Sequence, residues 1–238
     1  MLTDKIAARD VPNMPAEYKD LLARVLTIQA DCEIGGPHLY VDKLLPGAPD
    51  ATKRLIVART AAEEIDHFRK VLQVAAGIGL DLTYLLRRSN QERAVDAFRG
   101  EIATWEDYAV FGFLIDRIGR YQMEEFEGGS YAPLDAICPG ILSEELGHIE
   151  NGRVFTAELA NGTQDQRRRV QEAINRWYPK GLDMFGQSGS RRAERYIEWG
   201  LKRRPNERAR EQYIAEVNPL IEDMGLKVPD PEANRKFL

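Results

Sequence analysis

Two short stretches constrain this chain more than any other feature: Glu63-Glu64-Ile65-Asp66-His67 and Ser143-Glu144-Glu145-Leu146-Gly147-His148. Each holds a Glu followed three residues later by a His. On an α-helix, positions i and i+3 share a face, so each pair presents one carboxylate and one imidazole to the same point. The chain has 3 His in all, and two of them sit in this pattern. Two such pairs, joined by a lone carboxylate from each of two further helices, form the inward ligand set of a di-metal four-helix bundle. The competing reading is a pair of ordinary solvent-facing helix contacts.

Composition allows the bundle. With 238 residues, 43% hydrophobic and 30% charged, the chain is long enough to bury a full core, and a single domain over 1–238 is expected. The net charge of −5 argues against nucleic acid and against an anionic membrane surface as partners. No stretch approaches the ~18 apolar residues needed to span a bilayer. The start lacks the apolar segment of a signal peptide, and the 2 Cys form no C-x-x-C, so the cytoplasm is the expected compartment.

Helical periodicity places the elements. A first helix is expected from about residue 15 to the mid-thirties, with Leu22, Leu26, Gln29, Glu33 and Gly36 on one stripe, so Glu33 falls where an apolar residue belongs. Gly35-Gly36-Pro37 should then break or loosen it. A second helix spans about 51–78, and residues 80–103 form a long polar connection with short helices. The third covers about 104–126. The fourth runs to about Leu159, kinked or starting late near Gly140 because of Pro139. Three Arg- and Glu-rich helices, about 165–180, 190–203 and 206–224, are expected to pack outside this core bundle of about 15–160. The fold class is therefore all-α, a ferritin-like four-helix bundle with additional C-terminal helices, the long connection carrying the chain from the second helix to the third.

Depth along the hairpins selects the fourth carboxylate. If the first turn is centred near Gly47, Glu33 lies 14 residues before it and Glu64 lies 17 after. If the second is centred near Gly129, Glu145 lies 16 after it and Asp116 lies 13 before. Glu124 and Glu125 are too close to the turn, by about 15 Å of helix at 1.5 Å per residue. Asp116 is then the helix-3 carboxylate, unless it makes an exposed pair with Arg120. The expected ligands are Glu33, Glu64, His67, Asp116, Glu145 and His148, with Glu64 and Glu145 bridging two metals. Carboxylate oxygen and imidazole nitrogen without thiolate suit iron, with manganese an alternative. Glu63 and Glu144 point one helical step away from the bridging glutamates. Each is either a surface residue or an acceptor for the free N–H of the opposite histidine. Gly112 and Gly119 lie about one turn to either side of Asp116. With Phe113 and Gln29 near the same depth, they are expected to frame an apolar, ring-sized substrate pocket.

Several stretches resemble one family. Met14-Pro15-Ala16-Glu17-Tyr18, the Glu33 helix, both Glu-x-x-His motifs, Trp105 with Asp116 eleven residues on, Asp183-Met184-Phe185-Gly186 and Met224-Gly225-Leu226-Lys227-Val228-Pro229-Asp230-Pro231 resemble the catalytic A subunits of bacterial ring-1,2-phenylacetyl-CoA epoxidases. The resemblance implies a di-iron monooxygenase that activates O2 and epoxidises or hydroxylates an aromatic or other unsaturated acyl-CoA. It also implies electrons from an external reductase, and pairing either as a homodimer or with a ferritin-like sister subunit. The family's metal ligands fall on the six residues named above. Sister subunits usually lack a full set, so this chain reads as catalytic. Two other functions remain in play: a di-metal oxidase, peroxidase or iron-handling protein, and a non-catalytic bundle subunit.

Overall fold

The structure, a computed structural model, describes residue 2 and residues 4–237. Among them there are seven helices and no strand, only an isolated bridge from Ile6 to Tyr131. Helix α1 is Ala16–Gly47 and α2 is Ala51–Ala76. Helix α3 covers 105–126 in three parts: Trp105–Phe111, a π-helical segment Gly112–Asp116, and Arg117–Phe126. Helices α4 (Ala132–Ala160), α5 (Gln164–Met184), α6 (Arg191–Glu198) and α7 (Asn206–Asp223) follow. The connection from α2 to α3 carries three 3-10 turns, Thr83–Arg87, Asn90–Glu92 and Asp96–Arg99. The all-α expectation holds. Among the described residues no helix is long and apolar enough to cross a membrane.

Caps start several helices. The Asp50 carboxylate accepts from the Lys53 N–H at 2.8 Å, and the Thr104 hydroxyl accepts from the Asp107 N–H at 3.1 Å. Thr163 and Gln166 form a capping box at α5.

Neither a helix break at Pro37 nor a late start after Pro139 occurs. Helix α1 does not break at Gly35-Gly36-Pro37 but continues to Gly47. Helix α4 starts at Ala132, with Pro133 in its first turn, and runs through Pro139 without a late start. In both, long flanking apolar faces are buried on neighbouring helices, and tertiary packing overrides a local penalty of about 3 kcal/mol. Leu39, Tyr40 and Leu44 lie beyond the α1 proline and are all buried.

The C-terminal helices do not merely lie outside the bundle. Val170, Ile174, Trp177 and Leu182 of α5 and Tyr213, Val217 and Ile221 of α7 share one apolar core with Val110, Phe111, Leu114 and Ile118 of α3. Helix α7 also supports the π segment. Tyr213 Oη donates to the Leu114 carbonyl at 3.1 Å. Arg117 Nε donates to the Phe113 carbonyl at 3.3 Å, and the Arg117 guanidinium is held by Glu216 of α7. A π segment puts an extra residue in a turn, so carbonyls there need partners from elsewhere.

Helices α3 and α4 approach backbone to backbone beside this segment. A Cβ on Gly152 would lie 2.2 Å from the Phe113 nitrogen and 2.3 Å from the Gly112 carbonyl carbon. Nothing there is a flexible side-chain end that could yield. Gly152→Ala should therefore cost about 2 kcal/mol or more in denaturant unfolding. Gly147→Ala, at an exposed helical site with nothing within 4 Å, should be neutral or stabilising by up to about 1 kcal/mol. Equal effects in the two variants would show that the close crossing does not constrain the fold.

Candidate metal centre

Helices α1, α2 and α4 bring Glu33, Glu64, His67 and Glu145 together, all buried, each offering a ligand atom within 4.8 Å of the others. His148 adjoins them, its Nδ1 lying 3.1 Å from Glu64 Oε1 and 3.8 Å from Glu145 Oε2. His67 Nδ1 lies 3.4 Å from Glu33 Oε2 and 3.5 Å from Glu145 Oε1. Asp116, at the end of the π segment, lines the same cavity as Glu33, Glu64 and Glu145. It does not pair with Arg120, whose guanidinium goes to Glu216 at 2.5 Å and to Glu124 at 3.5 Å. Gly119 leaves room for the bundle's central carboxylate: a Cβ there would meet Glu145 Oε2 at 3.5 Å.

The outer glutamates cross between α2 and α4. Glu144 Oε2 lies 2.7 Å from His67 Nε2, and Glu63 Oε2 lies 2.7 Å from His148 Nε2. Both carboxylates are about two-fifths exposed, with side-chain accessibilities of 38% for Glu144 and 41% for Glu63. Each ring therefore gives Nε2–H to a glutamate at the edge of the bundle and turns Nδ1 inward. Neither Nδ1, nor Glu145 Oε2, has a hydrogen-bond partner in the protein. Two inward imidazole nitrogens without partners among four carboxylates fit a bound cation pair, since buried polar atoms are otherwise almost always satisfied.

The electrostatics follow from crowding. Burial opposes a charged imidazole, but the surrounding carboxylates outweigh it. Glu145 and Glu33 push His67 up to about 11, and Glu145 and Glu64 push His148 up to about 12. Burial and then the Glu145 charge hold Glu64 well above the ordinary carboxylate range and raise Asp116 to about 7. Glu145 is lowered because its burial is outweighed by the two imidazoles beside it. Without metal, protons thus carry the compensating charge near pH 7.

The cavity beside these groups is small, about 30 Å³, and is lined by Gln29 and Gly119 among others. Gly112 and Phe113 are not in its lining, contrary to expectation. The space at Gly112 is taken by Gly152 of α4, and Phe113 is fully buried in the apolar core. A ring needs a cavity of roughly 150 Å³, so this is no ring-sized pocket. Gln29 Nε2 instead donates to Glu33 Oε1 at 2.5 Å. Sequence reasoning missed Cys32, Tyr40, Gln122 and Met184, which also line the cavity. Tyr40 lies seven residues after Glu33, a spacing that could have flagged it. Met184 comes from α5 and carries no local signal.

Two outcomes follow. Asp116→Ala should lower the metal bound per chain, by elemental analysis of purified protein. Glu124→Ala, which removes only contacts to Arg120 and Arg204, should not. The reverse would place the fourth carboxylate elsewhere. Secondly, Fe(II) or Mn(II) must displace the Nδ1 protons of both imidazolium rings, so binding near pH 7 should release at least about two protons and tighten as pH rises. Calorimetry in two buffers of different ionisation enthalpy counts them, and release near zero would show that neither ring carries an Nδ1 proton before the metal binds.

Residues 5–236 match the phenylacetic acid catabolic protein family. The chain is 27% identical over 223 residues to one component of the 1,2-phenylacetyl-CoA epoxidase of Escherichia coli K12, covering 92% of this chain and 72% of that one. It is 28% identical over 219 residues to benzoyl-CoA oxygenase component B of Aromatoleum evansii, covering 80% of this chain and 46% of that one. With the match extending over nearly all of its residues, the chain belongs to the phenylacetic acid catabolic protein family.

Proposed function

We propose that this chain is the catalytic component of an oxygenase that inserts oxygen from O2 into an aromatic acyl-CoA, by epoxidation or hydroxylation. In this reading it holds two iron ions through Glu33, Glu64, His67, Asp116, Glu145 and His148. The observation that carries it is the pair of inward, partnerless Nδ1 atoms facing four buried carboxylates. The activities of the two relatives, an epoxidase and an oxygenase of aromatic CoA thioesters, supply the substrate class.

The residues divide the work by position. Glu145 reaches toward both imidazoles, with Oε1 near His67 and Oε2 near His148, and suits a bridging role with Glu64. Glu33 and Asp116 complete the two ends. Glu144 and Glu63 fix the ring planes and keep Nδ1 aimed inward. The buried walls exclude bulk water from the centre. Two bound ferrous ions would supply the electrons and open coordination positions that O2 activation requires. Two buried Cys without a C-x-x-C cannot hold an iron–sulfur relay, so electrons come from an external reductase, and a second copy or a ferritin-like sister chain completes the assembly.

The metal-loaded protein is reduced anaerobically, mixed with phenylacetyl-CoA or benzoyl-CoA, exposed to 18O2 and analysed by mass spectrometry. One labelled oxygen in the thioester product is expected, with sustained turnover only when reductase or chemical reductant is added. Oxygen consumed across a panel of acyl-CoAs with only water or peroxide formed would overturn the oxygenase reading in favour of an oxidase.

A further inference from the structure

One polar group in the small cavity beside the carboxylates is neither a candidate ligand nor tied to one. Tyr40 lines that cavity together with Glu33, Glu64, Asp116 and Glu145. It is 2% exposed, and its hydroxyl has no hydrogen-bond partner in the protein. Among the described residues no other buried hydroxyl lacks one. Buried hydroxyls are almost always paired, so an unpaired one beside a cavity points to a ligand within it.

The phenol is held in place from two sides. Its ring stands edge-on to Tyr108, with centroids 5.2 Å apart and planes at 69°. Along α1 it lies over Gly36, where a Cβ would meet the ring Cε1 at 3.7 Å. Tyr40 follows Glu33 by seven residues, so two helical turns bring both side chains to one face. A phenol keeps its proton at pH 7, which makes Tyr40 a neutral donor among acceptors. The Gln29 amide is already engaged, donating to Glu33 Oε1 at 2.5 Å. Gln122, the remaining amide of the lining, is only partly buried. The rest of the wall is largely apolar, with Phe98, Phe111, Ile115 and Met184.

Size narrows the ligand. A cavity of about 30 Å³ admits two or three water-sized particles, at roughly 10–15 Å³ each. The ligand is therefore two or three atoms long, with lone pairs to accept the Tyr40 proton and affinity for cations. O2, nitric oxide and azide share that chemistry. Resting on the oxygenase reading above, we propose that Tyr40 is a further catalytic residue, its hydroxyl donating a hydrogen bond to the small ligand that enters this cavity, O2 during turnover. The bond fixes one end of the ligand and sets a positive dipole where electron density builds up on reduction. Tyr40 keeps its proton throughout, so no bond forms or breaks at the phenol.

Azide titration of the iron-loaded, air-oxidised protein, followed by visible absorption and by the infrared N–N stretch, tests the donor without oxygen chemistry. The wild type should bind azide with a stretch that shifts in D2O. Tyr40→Phe keeps the ring and removes only the hydroxyl. It should retain its iron and its thermal midpoint, weaken azide about fivefold or more, and lose the D2O shift. Tyr108→Phe removes the neighbouring phenol, which lies outside the cavity lining, and should change neither. No azide bound by the iron-loaded wild type, or equal affinity and equal D2O response in Tyr40→Phe, would overturn the assignment. So would a phenolate-to-iron absorption band in the wild type with loss of iron from Tyr40→Phe, which would make Tyr40 a metal ligand. A Tyr40-dependent azide site in a chain that forms no labelled product would keep the donor and reject the oxygenase. Labelled product with azide binding indifferent to Tyr40 would keep the oxygenase and reject the donor.

Discussion

Four carboxylates enclosed by one bundle would ordinarily destabilise it, because like charges at short range in a low-dielectric interior repel strongly. The structure rests on how that repulsion is balanced. Two imidazoles sit between the carboxylates, and each is tied outward to a further glutamate on the opposite helix. This crossed arrangement stitches α2 to α4 through their polar interior, where an apolar core would hold them only by packing. Protons supply balancing positive charge, and the same cluster could hold a metal ion that supplies it instead.

The rest of the chain holds the carboxylates in register. Asp31, two residues before Glu33, accepts from Arg93 Nη1 at 2.9 Å and from the Ala94 N–H at 2.6 Å, and Arg93 is completely buried. That clamp fastens the connection between α2 and α3 to α1 next to a candidate ligand. On the other side, Glu216 of α7 gathers Arg117, Arg120 and Tyr121 of α3 immediately after Asp116. The C-terminal helices thus act on the centre at a distance, through the helix that carries Asp116.

Much of this was legible in residue spacing. The i, i+3 pairs, the polar break in the α1 stripe at Glu33 and the matching depth offsets in the two hairpins all depend on helical geometry alone, which sequence reports directly. What escaped was whatever depended on contact between distant segments. Pro37 read as a break or loosening and Pro139 as a kink or late start, because their local cost is visible and the compensating burial is not. Gly112 read as space for a substrate, and only the crossing of α4 reveals that Gly152 occupies it. The π segment could not be foreseen, because its supports, Tyr213 and Glu216, lie some hundred residues away.

The half-exposure of Glu63 and Glu144 has a further consequence. A single hydrogen bond separates each buried ring from a carboxylate that water reaches. Imidazole accepts charge at one nitrogen and releases it at the other, so each ring is a conduit from the sealed interior to bulk solvent. The bundle has two such exits, on different helices. Protons can therefore leave or enter through the two rings by routes separate from the small cavity beside the carboxylates.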